Sequence, residues 1–62
     1  MLDRLEIIKE LVDTDPQKAI EEILKIDEED RNYKIISEWG RAENNLGNYK
    51  KALELLLFSL PL

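Results

Sequence analysis

Residues 46–54 read LGNYKKALE, and this stretch predicts a helix end, a tight turn and the start of another helix. Gly47 suits the left-handed backbone conformation that closes many helices. Asn48 is a residue type that often caps the following helix. Leu53 and Leu56 then lie three positions apart, which places both on one helical face. The stretch therefore predicts two helices joined as a hairpin.

Helical spacing of apolar residues continues through the rest of the chain, and no stretch alternates apolar and polar residues as a strand does. We therefore predict an all-α fold. Asp15 before Pro16 indicates a helix start, because a carboxylate caps free N–H groups and proline fits the first helical position. The acidic run 27–30 is expected to end the second helix and to cap the third. The approximate bounds of the four predicted helices are 2–12, 16–26, 30–46 and 49–60.

The two halves of the chain share one pattern of apolar positions. A shift of 34 residues superposes the apolar positions of the first and third helices, and a shift of 33 superposes those of the second and fourth. The one-residue change falls in the turn, where an insertion is tolerated. We predict a single domain, residues 1–62, of two antiparallel helical hairpins at about 2–26 and 30–60. Among the paired positions are Val12 with Leu46, Ile20 with Leu53, and Ile23 with Leu56.

The composition argues against catalysis. The chain has no cysteine and no histidine, so it lacks a thiolate nucleophile, the usual general base and the commonest metal ligand. Acidic side chains occur only on predicted polar faces and in turns. We expect a non-enzymatic protein with no cofactor and no bound metal.

Charge and hydropathy also narrow the class of partner. The net charge of −5 opposes binding to nucleic acid and to anionic membranes, whose phosphates attract basic side chains. No apolar run reaches the roughly 18 residues that suggest a membrane span, and the first residues do not resemble a signal peptide. We expect a cytoplasmic protein whose partners are proteins.

Residues 52–62 read ALELLLFSLPL and are apolar almost all round the predicted helix. A hairpin partner covers only one side of such a helix. If Leu53, Leu56 and Leu57 pack inward, a second chain covers the other side, either as a homodimer or as a foreign helix or peptide. Two alternatives stay open: the first helix folds over the fourth, or the sequence is a piece of a longer repeat protein. The predicted interface residues are Leu55, Phe58, Leu60 and Leu62.

The second hairpin, residues 33–60, resembles one tetratricopeptide repeat, a 34-residue helix–turn–helix unit. Residues 1–30 resemble a degenerate copy, mainly through DPQKAI at 15–20. Glu43 and Leu56 stand where the family carries aromatic side chains, and Ser59 where it carries alanine. The residues that carry the resemblance are Trp39-Gly40, Leu46-Gly47-Asn48-Tyr49 and Lys51-Ala52-Leu53-Glu54.

The resemblance implies right-handed stacking of the hairpins and a protein–protein interaction module. It also implies a concave face on the third helix, where several donors could hold the carboxylate of a peptide. The alternative is a self-contained four-helix bundle with no function beyond folding, natural or designed, because the Glu-, Lys-, Leu- and Ile-rich composition suits a designed or thermophilic chain. The candidate concave-face residues are Lys34, Glu38, Arg41, Asn44 and Asn45.

Overall fold

A computed structural model describes the backbone of residues 3–59 and the side chains of residues 3–57. The prediction of an all-α fold with four helices is confirmed, and residues 3–59 contain no strand. None of the helices in this part of the chain is long and apolar enough to cross a membrane. The elements are α1 (Arg4–Thr14), α2 (Pro16–Leu24), a 3-10 turn (Glu28–Asp30), α3 (Tyr33–Asn45) and α4 (Tyr49–Ser59).

A single residue, Asp15, separates α1 from α2. Its backbone N–H donates to the carbonyl of Leu11 at 2.6 Å and closes α1. Its side chain accepts from the N–H of Lys18 at 3.3 Å and caps α2. Pro16 occupies the start of α2, where its missing N–H leaves no helical bond unmade. The predicted start of the second helix is confirmed.

The linker between the hairpins differs from the prediction. The second helix ends at Leu24. The Arg31 guanidinium donates to the carbonyls of Leu24 at 3.4 Å and Ile26 at 3.0 Å and so satisfies acceptors that the helix end leaves without partners. The third helix begins at Tyr33, capped by the Asn32 side chain, which accepts from the N–H of residue 35 at 3.0 Å. The expectation that the acidic run caps this helix is therefore wrong.

The turn at Gly47 confirms the left-handed helix end, with a φ of +86°. The N–H of Gly47 donates to the carbonyl of Asn44 at 3.0 Å, and that of Asn48 donates to the carbonyl of Glu43 at 2.8 Å. These two bonds satisfy carbonyls that every helix end leaves without partners. The Asn48 side chain also donates to the buried Glu43 carboxylate at 3.0 Å, so this carboxylate is hydrogen-bonded inside the turn.

The third helix is the centre of the fold. It packs against α1 and α2 on one side and against α4 on the other. In the described residues α1 makes no extensive contact with α4. Gly40 lets α4 approach closely, since a Cβ there would lie 2.9 Å from Cγ of Leu56. The main core thus joins the first hairpin to α3, and its buried residues are Ile8, Val12, Ala19, Ile20, Ile23, Ile26, Ile35 and Ala42.

Candidate interaction surfaces

An exposed apolar stripe runs along α4. Its members are spaced by four, three and one positions, so they share one side of the helix. Leu53 is 59% exposed and Leu57 is 60% exposed. Such a run of neighbouring apolar side chains marks a candidate binding surface. We call it the α4 apolar surface, and its residues are Tyr49, Leu53, Leu56 and Leu57.

The expectation that Leu53, Leu56 and Leu57 pack inward is wrong for Leu53 and Leu57, which are 59% and 60% exposed. Ala52 is buried against α3, and Leu56 reaches only the edge of that contact, at Gly40. Leu53 and Leu57 lie further round the helix, because each residue advances by about 100°. The close Gly40 contact therefore sets which side of α4 faces inward.

Only one of the four predicted interface residues has a described side chain. Leu55 is half-buried. The side chain of Phe58 lies outside the described residues, as do Leu60 and Leu62 entirely. Their contact with a partner stays a prediction.

A recess of about 290 Å³ opens beside Leu55, on the other flank of α4. The Trp39 ring lines it, and the cationic groups of Arg31 and Lys51 lie 5.7 Å and 5.6 Å from the ring centroid. Cations at this distance are attracted to the face of an indole. The indole Nε1 is buried and has no hydrogen-bond partner in the described part of the chain. The recess is lined by Glu28, Arg31, Ile36, Trp39 and Leu55.

Three of the five candidate concave-face residues are engaged within the chain. Arg41 donates to the buried Glu38 carboxylate at 2.8 Å and lies 3.5 Å from the carboxylate of Asp13 on α1. Asn45 donates its side-chain amide to the carbonyl of Val12 at 2.9 Å. The contacts of Arg41 with Asp13 and of Asn45 with Val12 join the two hairpins, which the sequence alone did not indicate.

The remaining two candidates lie at the surface. Lys34 lies 6.0 Å from the ring centroid of its neighbour Tyr33, and Asn44 is exposed. Peptide binding by the five positions therefore stays a prediction, with Arg41 already held between two carboxylates.

An ion pair joins Glu22 and Lys25 at the end of α2. The Lys25 ammonium donates to the Glu22 carboxylate at 2.9 Å and lowers the pKa of that carboxyl below its usual value. Lys25 is exposed, and exposed ion pairs of this kind contribute little to stability. No group of three or more metal-ligating side chains occurs among the described residues.

Comparison with known proteins does not assign the chain to a family. No protein-family model, no curated protein and no solved structure matches the chain significantly. The tetratricopeptide resemblance therefore rests on the quoted motifs.

Proposed function

We propose that this chain is a non-catalytic protein–protein interaction module that binds a second copy of itself through the α4 apolar surface. The observation that carries the proposal is the high exposure of Leu53 and Leu57 on one face of a helix. Contiguous apolar patches on soluble proteins mark contact sites more often than they remain in water.

The free-energy balance supports association. Burying a leucine side chain fully is worth about 1.5–3 kcal/mol, and each copy would contribute several residues of the α4 apolar surface. Domains of this length rarely obtain more than about 3–5 kcal/mol from one core. Burial between copies would therefore stabilise the fold by the amount by which it exceeds the entropic cost of association.

The module is of tetratricopeptide-like type in this proposal. Its support is the arrangement of two helical hairpins with Gly40 at the close contact inside the second one. The acidic net charge supports a protein partner in preference to nucleic acid or an anionic membrane.

The test is the mass in solution, measured by chromatography with light scattering over a concentration series. We expect the mass to rise from the 7.3 kDa of one chain to at least twice that value, with a helical circular dichroism spectrum throughout. A helical monomer at every concentration would overturn self-association and favour the alternative, a self-contained four-helix bundle.

A further inference from the structure

The α4 apolar surface is symmetrical about its central residue. Tyr49 and Leu57 each lie four positions from Leu53, in opposite directions along the helix. All three side chains are mostly exposed. A second α4 that runs in the opposite direction presents the same spacing, with its own Leu57 at the level of Tyr49 and the two Leu53 side chains at the crossing point. The surface therefore fits a reversed copy of itself.

Two residues of opposite charge lie along one edge of this surface, which we call the outer edge. Lys50 lies about 60° and Glu54 about 100° round the helix from Leu53, in the same sense. Both side chains are exposed. Neither has an ion-pair partner among residues 3–57, although their spacing of four positions would allow them to pair with each other. Both charges are thus left for contact with a second chain.

The inner edge of the surface is closed by α3. Ala52 is buried there, and a Cβ at Gly40 would lie 2.9 Å from Cγ of Leu56. A two-fold axis perpendicular to α4 makes two such helices antiparallel and brings their outer edges together. A parallel pair would instead place the outer edge of one copy against the inner edge of the other, where α3 lies. The packing of the hairpin therefore favours the antiparallel arrangement.

The antiparallel arrangement also brings the opposite charges together. When the helices cross at Leu53, Lys50 of one copy lies about two residues, or roughly 3 Å along the axis, from the level of Glu54 of the other. The two-fold symmetry repeats this contact. In a parallel pair Lys50 would lie level with the same lysine of the second copy. Charges arranged in this way fix the orientation of an interface more than its affinity.

We infer that two copies pair through antiparallel α4 helices, with Tyr49 of each copy against Leu57 of the other and the two Leu53 side chains at the centre. The inference rests on the proposed function and adds the orientation and symmetry of the complex. Such an interface uses the same surface of both copies, so none stays free to bind a third. We expect assembly to stop at twice the 7.3 kDa of one chain.

The test uses two single-cysteine variants, Tyr49→Cys and Leu57→Cys, because the chain has no cysteine of its own. In the antiparallel pair, residue 49 of one copy lies level with residue 57 of the other, whereas equal residues lie about 12 Å apart along the axis. A disulfide needs Cα atoms within about 7 Å of each other. After oxidation of an equimolar mixture in glutathione buffer, mass spectrometry is expected to find the mixed disulfide in excess over the two symmetrical disulfides together. Random pairing would give equal amounts.

Controls keep the outcomes distinct. Gln17→Cys, at an exposed position of α2, measures random collision and should give no excess with Leu57→Cys. Leu53→Cys lies at the crossing point and should cross-link with itself in either orientation. Circular dichroism checks each fold, and Lys50→Cys replaces Tyr49→Cys if that variant loses helicity.

The inference and the proposed function fail on different results. If Leu53→Cys cross-links with itself but the mixed disulfide is not in excess, or if the mass rises beyond two chains, the antiparallel pair is overturned and self-association stands. An unmodified protein that stays monomeric, with Leu53→Cys cross-linking no faster than Gln17→Cys, overturns both.

Discussion

Leu53→Glu is expected to abolish self-association while the helices remain intact. In a single copy Leu53 is mostly in water, so a glutamate there stays hydrated and keeps a good helix former in place. In the assembly the same carboxylate would be buried without a partner, and the leucine contact would be lost. The two effects together exceed about 3 kcal/mol, which corresponds to at least a 100-fold weaker association.

Light scattering measures the mass of Leu53→Glu, and circular dichroism on the same samples measures its helicity. Gln17→Glu is the matched control for charge. If the variant has the mass of the unmodified protein, the α4 apolar surface is not the interface. Loss of helicity would mean that Leu53 belongs to the core.

Ile23→Ala is expected to remove most of the stability that the core gives the fold. The Ile23 side chain is fully buried in the cluster shared by α1, α2 and α3. Replacing a buried isoleucine with alanine costs about 2–5 kcal/mol, because transfer free energy is lost and a cavity remains. A core of this size supplies about the same amount in total.

Urea titration followed by far-ultraviolet circular dichroism checks this expectation. Leu24→Ala is the matched control, since Leu24 is the next residue on the same helix but is largely exposed. The control should lower the free energy of unfolding by less than about 1 kcal/mol, as surface substitutions commonly do. Equal losses at residues 23 and 24 would contradict the position of the core.

Local signals made the helices and two of their ends predictable from sequence. Asp15 with Pro16 and the turn at Gly47 act through backbone bonds within a few residues, so their neighbours in sequence suffice. The linker was not predictable in the same way. Arg31 reaches back to the carbonyls of Leu24 and Ile26, and this contact depends on the folded path of the chain.

The sequence did not indicate which side of α4 packs against α3, because leucines lie on several sides of that helix. Hydrophobic periodicity does not distinguish these sides. In the structure, the close approach of α4 to Gly40 determines which side faces α3. The same limit applies to Arg41 and Asn45. Their residue types suit a peptide-binding face, and only the packing of α3 on α1 turns them towards Asp13 and Val12.

The central claim is that burial of the α4 apolar surface between copies adds to the stability of the fold. The most direct measurement is the midpoint of thermal unfolding as a function of protein concentration, for the unmodified protein and for Leu53→Glu. Association stabilises the folded state by mass action, so the midpoint of the unmodified protein should rise with concentration and that of Leu53→Glu should not. A midpoint of the unmodified protein that stays constant across the series would contradict the claim.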